Sequence, residues 1–294
     1  MNNTEIFPER YTDYDPWAWL YNQSEARLAC NRLLPNLEKL LLPHLVRGAK
    51  IFDLCCGTGQ LSQELITKGY QIVGLDGSEK MLHYARQNAP NAEFILGDAR
   101  SFQLAPNNFD AVICTDSALN HIMSLEELKS VFSNVYSVLQ ENGLFVFDLG
   151  LENRYNNIAI ADGEMQENYA WVVGETYDPA ATVGTFTITM FKPNNERSSQ
   201  KSNIISSSIR NLKRIIYNQF LRQTKPSTLL QLIEQDWQSS EINFSVKPYS
   251  ATEIASALTE VGFTSIEIYN SNGELTESQA DKEAYFLVRK PADR

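Results

Sequence analysis

The sequence has few of the residues that metal sites and disulfide frameworks require. Its 294 residues include only three histidines and four cysteines. Structural zinc sites usually take four Cys or His ligands at paired spacings, and only the neighbours Cys55 and Cys56 are close in sequence here. The cysteines have no framework-like spacing, and a chain of this length can bury a core without disulfides. We therefore predict free thiols and no metal site.

Basic residues and long apolar runs are scarce as well. The chain has 25 Lys and Arg against 36 Asp and Glu, a formal charge of −11, and a field of that sign repels nucleic-acid phosphates. No run approaches the ~20 apolar residues that span a bilayer, and the opening MNNTEIFPERYTDYD lacks the features of a secretory signal. We expect a cytoplasmic protein, monomer or homodimer, with no nucleic-acid or membrane partner.

Between residues 49 and 149, short apolar runs alternate with helical patterns. The predicted strands are AKIFDL (49–54), YQIVGLD (70–76), AEFILGD (92–98), FDAVICT (109–115) and GLFVFDL (143–149). The predicted helices span about 59–68, 78–88 and 124–140, the last opened by a Ser124-x-x-Glu127 capping box. Strands that are apolar on both faces and alternate with helices are typical of a doubly wound α/β fold.

The C-terminal part adds two strands to this sheet. Ser250-x-x-Glu253 caps a helix that ends at Gly262, and strands at about 264–269 and 283–289 follow. No crossover helix separates these strands, so they should pair antiparallel. The pattern predicts a mostly parallel seven-stranded sheet that ends in an antiparallel hairpin.

Residues 151–248 fit neither part of the sheet and are interpreted as an inserted, β-rich, substrate-binding lid. WVVGETY (171–177) and VGTFTITMF (183–191) are typical of a hairpin, helical-looking material runs to about 237, and EINFSVK (241–247) could be a further strand. The predicted organisation is an aromatic helical lid (1–48), a cofactor-binding core (49–150), the insertion (151–248) and the rest of the core (249–294).

The turn DLCCGTGQ follows the first strand and precedes the first helix, where an α/β sheet presents its binding crevice. Gly57 and Gly59 allow the backbone to approach a ligand closely, and the N–H groups of the next helix face that ligand. A dinucleotide fingerprint has Gly or Ala where this sequence has Ser62. The turn therefore indicates a nucleotide site that departs from the dinucleotide pattern.

Acidic residues end the second and third strands. Asp76 stands where a carboxylate can accept both ribose hydroxyls, and Asp98 where one can accept an adenine amino hydrogen. Either acid alone could instead cap a turn. Their occurrence after successive strands, beside the glycine turn, favours a ligand.

Five segments together carry a family resemblance. They are Asp53-x-x-Cys56-Gly57-x-Gly59, VGLDGSEKML (73–82), GDAR (97–100), FDAVICTDSALNHI (109–122) and LQENGLFVFDL (139–149). In these segments the chain resembles class I S-adenosylmethionine-dependent methyltransferases, small-molecule type, similar to amino-sugar and glycine N-methyltransferases. The resemblance covers about residues 49–149, and residues 245–290 in architecture.

The resemblance implies S-adenosylmethionine as cofactor and a set of residues that bind it. Gly57 and Gly59 would admit its methionine part, Asp76 would hold the ribose, and Asp98 would bind the adenine amino group. The full implied set is Asp53, Cys56, Gly57, Thr58, Gly59, Asp76, Gly77, Met81, Asp98, Ala99, Cys114 and Thr115.

Two residues are candidates for catalysis. His121 resembles a histidine of small-molecule N-methyltransferases, and with an ordinary pKa near ~6.5 it could serve as a base or an orienting group. It could equally be a histidine packed near a helix start. Tyr14 belongs to the aromatic stretch YTDYDPWAWLY, which is similar to a segment that folds over the cofactor, or packs there only by burial. Asp116 and Asn120 are weaker candidates from the His121 loop.

The predicted function is methyl transfer to a nitrogen or oxygen of a small, possibly anionic molecule. The anionic character depends on seven basic residues without an acid among them in 197–233, which could also be a solvated face: Arg197, Lys201, Arg210, Lys213, Arg214, Arg222 and Lys225. The alternatives are a non-catalytic S-adenosylmethionine-binding protein and an NAD-dependent oxidoreductase.

Overall fold

The computed structural model describes residues 11–155, 161–166, 168–193, 237–276 and 281–292. The chain divides into two compact units, one formed by residues 1–154 and 247–294 and the other by residues 155–246. The basic stretch at 197–233 and the helical-looking material before residue 237 lie outside the described residues.

The first unit is built on a seven-stranded sheet with the strand order β10-β11-β5-β4-β1-β2-β3. Its strands are β1 (Lys50–Leu54), β2 (Gln71–Asp76), β3 (Glu93–Leu96), β4 (Phe109–Cys114), β5 (Leu139–Gly150), β10 (Thr264–Tyr269) and β11 (Glu283–Arg289). Strands β1 to β5 pair in parallel, whereas β11 pairs antiparallel with both β5 and β10. The predicted doubly wound sheet with a terminal hairpin is confirmed.

Helices accompany this sheet along the chain. They are α1 (Ala18–Gln23), α2 (Glu25–Leu40), α3 (Gln60–Thr67), α4 (Glu79–Asn88), α5 (Leu125–Val138), α6 (Glu152–Tyr155) and α7 (Ala251–Val261), with 3₁₀ turns at Tyr11–Tyr14, Leu42–His44 and Ala118–His121. One set of buried strand residues packs with the apolar faces of α5 and α7 in a large core cluster, and another set, which includes Ile51 and Val146, forms a second cluster with α2 and α3. Burial of such side chains contributes about 1.5–3 kcal/mol each.

Side-chain caps fix the two helices that the sequence marks most clearly. Ser124 Oγ accepts the Glu127 N–H at the start of α5, and a complete capping box between Ser250 and Glu253 opens α7. Gly262 ends α7 in left-handed backbone at φ 113°. Helix α5 ends earlier than predicted, because Leu139 already pairs with β4 as the first residue of β5.

The second unit contains a four-stranded antiparallel sheet with the order β6-β7-β8-β9. Its strands are β6 (Ala161–Met165), β7 (Ala170–Asp178), β8 (Val183–Pro193) and β9 (Trp237–Val246). The predicted hairpin is confirmed, and its turn is held by Asp178 Oδ1, which accepts the N–H groups of Ala180 and Ala181. Strand β6 was not predicted, because ADGEM has neither apolar alternation nor β-branched residues.

In the parts of the chain that the structure covers, no helix has both the length and the apolar character of a bilayer span. Those same parts hold no group of three or more His, Cys, Asp or Glu residues arranged to bind a metal ion.

Candidate active site

The candidate site lies at the carboxyl ends of the parallel strands in the first unit. The turn after β1 has left-handed backbone at Cys55 (φ 60°), Gly57 (φ 54°) and Gly59 (φ 79°). The Cys56 N–H donates to the Leu75 carbonyl of β2 at 3.0 Å, so pairing with the neighbouring strand continues into the turn. Gly59 is the N-cap of α3, which brings the first N–H groups of that helix to the edge of the sheet.

The two glycines of the turn are required for different reasons. A Cβ on Gly59 would lie 3.0 Å from the Ala85 Cα and 3.1 Å from its Cβ, so this glycine allows α3 to approach α4. A Cβ on Gly57 would lie 3.5 Å from Tyr21, an ordinary contact, and it is the positive φ that favours glycine there. Close packing of the two helices was not part of the sequence prediction for Gly59.

Ser62, at the position where a dinucleotide fingerprint has Gly or Ala, has a hydrogen-bonding role that neither of those residues could fill. Its hydroxyl donates to Asp53 Oδ2 at 2.5 Å, and both residues are buried. Burial raises the pKa of Asp53 to about 7, against the lowering effect of the Ser62 hydrogen bond. The turn thus holds a carboxyl group that changes its charge near neutral pH.

A cleft lies beside this turn, and the empty space in and around it, open solvent included, is about 370 Å³. Helices α1 and α2, the turn and the loop after β4 contribute its lining. Of the predicted cofactor residues, the cleft is lined by Asp53, Cys56, Gly57, Thr58 and Thr115. The cleft therefore brings together three residues implied for the methionine part of the cofactor, Asp53, Cys56 and Gly57.

Asp76 lies at the end of β2, as predicted, with both carboxylate oxygens bonded to backbone. Oδ2 accepts the Gly57 N–H at 2.8 Å and Oδ1 accepts the Ser78 N–H at 2.9 Å. Burial raises the pKa of this carboxyl, while its hydrogen bonds to Ser78, Gly57 and Gly77 act in the opposite direction. Met81 is buried in the first turn of α4, where its N–H donates to Ser78 Oγ.

Asp98 lies past the end of β3 in an ion pair that the sequence analysis missed. The guanidinium of Arg100 contacts both of its carboxylate oxygens, with Nη2 at 2.8 Å from Oδ2. Arg100 Nη1 also donates to Glu127 Oε1 of α5 at 2.8 Å. The adjacent Ala99 is buried in the core. In the sequence this ion pair is indicated only by the charged Arg100, two positions after Asp98, the acid predicted to bind adenine.

Cys114 ends β4 and is fully buried, with its thiol hydrogen-bonded to that of Cys55. Burial raises the pKa of the Cys114 thiol well above its ordinary value, and burial likewise raises the pKa of Cys56. Cys30, Cys55, Cys56 and Cys114 are all free thiols. The raised pKa values keep the Cys56 and Cys114 thiols protonated at neutral pH, which disfavours a nucleophilic role for them.

The two candidate catalytic residues are hydrogen-bonded to each other, although 107 positions separate them. Tyr14 Oη lies 2.6 Å from His121 Nε2, and their rings meet edge to face with centroids 5.4 Å apart. Burial raises the pKa of Tyr14 well above its ordinary value, with a further contribution from the charge of Asp76. The phenol therefore remains protonated at neutral pH.

The loop between β4 and the Ala118–His121 turn is held in an uncommon conformation. Asp116 (φ 64°) and Ser117 (φ 56°) are consecutive left-handed residues. Asp116 accepts the Tyr21 hydroxyl at 3.1 Å and pairs with Arg32. Two successive non-glycine residues of this kind cost about 1–2 kcal/mol each, and such strain concentrates at functional sites.

Two further residues hold this loop against the end of β5. Ser117 donates its N–H (2.8 Å) and hydroxyl (3.0 Å) to Asp148 Oδ2, and burial raises the pKa of Asp148 to about 7. The Asn120 amide is bonded to both backbone groups of Gly150 and to the Lys247 carbonyl. These bonds give Asn120 a structural role in holding the loop.

The N-terminal segment is tied to the edge of the sheet by polar contacts outside its aromatic residues. Asp15 Oδ1 accepts the Ser78 hydroxyl at 2.6 Å, and Asn22 Oδ1 accepts the amide groups of Gln60 (2.9 Å) and Asn88 (2.7 Å). Together with the Tyr14 contact, these bonds fix the segment over the glycine turn. No periodicity or motif in the sequence indicates these pairings.

Comparison with known proteins finds similarity to methyltransferases. Residues 51–143 match a family model described as a methyltransferase domain. The chain is 35% identical over 107 residues to a glycine/sarcosine N-methyltransferase of Aphanothece halophytica, covering 34% of this chain and 40% of that protein. It is 30% identical over 118 residues to a dTDP-3-amino-3,6-dideoxy-alpha-D-glucopyranose N,N-dimethyltransferase of Streptomyces fradiae, covering 40% and 46%.

The match to these curated relatives is partial, whereas the match in fold is nearly complete. The chain spans about half the length of the curated relatives that it matches first, 54% and 45%. The crystal structure of a S-adenosylmethionine-dependent methyltransferase from Clostridium acetobutylicum superposes with a TM-score of 0.66 at 15% identity, covering 95% of this chain and 99% of that one. Over residues 51–143 the chain is thus similar to methyltransferase domains, and its fold is similar to that of a S-adenosylmethionine-dependent methyltransferase.

Proposed function

We propose that this protein transfers a methyl group from S-adenosylmethionine to the nitrogen of a small amine. The observation that carries the proposal is the hydrogen bond of 2.6 Å between Tyr14 Oη and His121 Nε2, the two side chains to which we assign proton transfer. The N-methyltransferase relatives support nitrogen over oxygen as the acceptor atom.

The residues at the cleft fit this cofactor chemically. When bound, the cofactor supplies a methyl group on a positively charged sulfur. The turn presents the backbone of Gly57 and the N-terminus of α3, which suit a carboxylate, and Asp53 lines the same cleft with a carboxyl suited to an ammonium group. Asp76 and Asp98 would hold the ribose and the adenine amino group.

The chain's own contribution is to hold the acceptor amine and to remove its proton. The Tyr14 oxygen can accept a hydrogen bond from the amine while the phenol proton is donated to His121 Nε2. Since the phenol itself does not ionise at neutral pH, the proton released by the amine would pass through Tyr14 to the imidazole. Orientation of the acceptor nitrogen would supply most of the remaining acceleration.

The acidic side chains around the site favour an amine over an anionic reacting group. Asp53, Asp76, Asp116 and Asp148 all lie at the carboxyl ends of the strands or in the loops that follow them. An acceptor that also carries a phosphate or carboxylate would need basic residues elsewhere. In the sequence such residues are concentrated in the stretch at 197–233.

The test is to mix the purified protein with S-adenosylmethionine and a panel of amines and to measure release of S-adenosylhomocysteine. Glycine, sarcosine and a dTDP-3-amino-3,6-dideoxyglucose form the first panel. With an accepted amine, Tyr14→Phe and His121→Asn should each lower kcat on the order of a hundredfold. His83→Asn, a change at an exposed histidine bonded to Gln87 on α4, is the matched control and should leave kcat unchanged.

Two outcomes would contradict the proposal. Tight binding of S-adenosylmethionine with no turnover of any amine would favour a non-catalytic binding protein. Turnover that is unaffected in both Tyr14→Phe and His121→Asn would remove the pair from the chemistry.

A further inference from the structure

Arg100 is an almost fully buried cation between two carboxylates of different elements. Its side chain is 1% exposed, against 15% for Asp98 and 18% for Glu127. The Arg100 N–H donates to Asp98 Oδ1 at 2.7 Å, and Nε contacts Oδ1 and Oδ2 at 3.0 and 3.1 Å. Buried charges are retained where each is paired and hydrogen-bonded, as all three are here.

The anchor of this group is helix α5. Glu127 lies in the first turn of α5, where its N–H is capped by Ser124 and where the helix dipole favours a negative side chain. Glu127 accepts a hydrogen bond from Nη1 of the guanidinium, whereas Nη2 and Nε donate to Asp98. The position of the Asp98 carboxylate therefore depends on α5 through Arg100.

The same contacts limit what Asp98 can do. A carboxylate has about four lone-pair sites. Oδ1 receives the Arg100 N–H and Nε, and Oδ2 receives Nη2 with the longer contact to Nε. The carboxylate is paired with an adjacent buried cation, and few directions remain in which it can accept a further hydrogen.

We propose that Arg100 and Glu127 are positioning residues that fix Asp98 as an ionised, directional acceptor and thereby make the site select adenine over hypoxanthine. The inference rests on the proposed function, in which Asp98 faces the adenine amino group. An ionised acceptor attracts an amino group at C6 and repels the carbonyl oxygen that replaces it in hypoxanthine. A carboxylate free to rotate or to take up a proton would discriminate less.

The test compares the binding of S-adenosylhomocysteine and S-inosylhomocysteine by isothermal titration calorimetry. The wild-type protein should prefer the adenosyl compound by on the order of tenfold to a hundredfold, as expected for a hydrogen bond to a charged group. In Arg100→Gln this preference should fall to within about threefold, mainly through weaker binding of the adenosyl compound. Arg100→Lys, which keeps the charge but loses the planar fork, should restore part of it.

A second variant and a control keep the test decisive if Arg100→Gln folds poorly. Glu127→Gln leaves Arg100 in place but weakens its anchor, so the preference should fall in the same direction by a smaller factor. Arg86→Gln removes an exposed arginine that pairs with Glu79 on α4 and should change neither affinity.

The outcomes separate this inference from the proposed function. Wild-type protein that binds neither compound contradicts both. Wild-type protein that binds both compounds equally, or folded Arg100 and Glu127 variants that weaken both in equal proportion, overturns the positioning role and leaves the methyltransferase proposal standing.

Discussion

Replacement of Asp148 by asparagine should make the protein less sensitive to alkaline pH. Asp148 is 4% exposed, and burial together with the charge of Asp116 raises its pKa from 3.8 to about 7. A carboxyl whose pKa is raised by folding binds more protons in the folded than in the unfolded state between those two values. Stability therefore falls as the pH rises through that window.

The size of the effect follows from the shift in pKa. Between about pH 5 and about pH 8 the unfolded state ionises freely, while the folded state holds the proton for about two further pH units. At ~1.36 kcal/mol per unit, ionisation of Asp148 lowers the free energy of unfolding by about 2–3 kcal/mol across this range. Asparagine does not ionise, so the variant should lack this loss.

The substitution also changes hydrogen bonds, and a comparison at two pH values cancels their contribution to stability. In Asp148→Asn the side-chain carbonyl can still accept both Ser117 donors, whereas an NH₂ group replaces Oδ1, which has no hydrogen-bond partner in the described part of the chain. An unsatisfied amide costs about 1–3 kcal/mol, but it does so at both pH values. The informative quantity is therefore the difference between the two mutational effects.

Urea denaturation of wild type and Asp148→Asn at about pH 5 and about pH 8 measures this difference. The variant should gain about 2–3 kcal/mol relative to wild type at the higher pH. Glu141→Gln, which removes an exposed carboxylate near the start of β5, controls for the loss of one charge. An equal effect of Asp148→Asn at both pH values would refute the assignment of a buried, protonated carboxyl.

Two further predictions concern the glycine turn. Gly59→Ala should lower the free energy of unfolding by about 1–3 kcal/mol and weaken cofactor binding, because the new Cβ would meet Ala85 and the backbone φ is positive. Urea denaturation measures the first effect, and calorimetry with S-adenosylhomocysteine measures the second. An unchanged urea denaturation curve would contradict the packing role. S-adenosylmethionine should bind more tightly as the pH rises through the pKa of Asp53, because the ionised carboxylate favours a cationic ligand. Ser62→Ala should move this transition to higher pH, because the Ser62 hydrogen bond lowers the pKa of Asp53, and a transition that stays in place would contradict it.

The sheet could be predicted from the sequence because its strands are buried on both faces. Strands such as β4 are largely apolar. The sequence also shows the serines that cap α5 and α7 and the glycine that ends α7. Strands β10 and β11 were predicted with the bounds that the structure has. Strand β6 was missed because its pairing with β7 depends on backbone groups and not on its side-chain pattern.

The contacts of the site could be predicted only in part. The acids and glycines were placed because strand ends share one edge of a parallel sheet. The role of Ser62 as a donor to Asp53, the buried Arg100 and the pairing of Asn22 with Gln60 depend on distances between elements that no periodicity encodes. Such polar contacts are seen only in the three-dimensional structure.

The central claim is that S-adenosylmethionine binds at the glycine turn after β1 and at Asp76, which accepts the Gly57 N–H of that turn. Calorimetric titration of the wild-type protein and Asp76→Ala with S-adenosylhomocysteine, and of the wild type with NAD, tests it most directly. We expect binding of S-adenosylhomocysteine by the wild type, a loss of at least about tenfold in affinity in folded Asp76→Ala, and no binding of NAD. Binding of NAD, or affinity for S-adenosylhomocysteine that is unchanged without Asp76, would contradict the account.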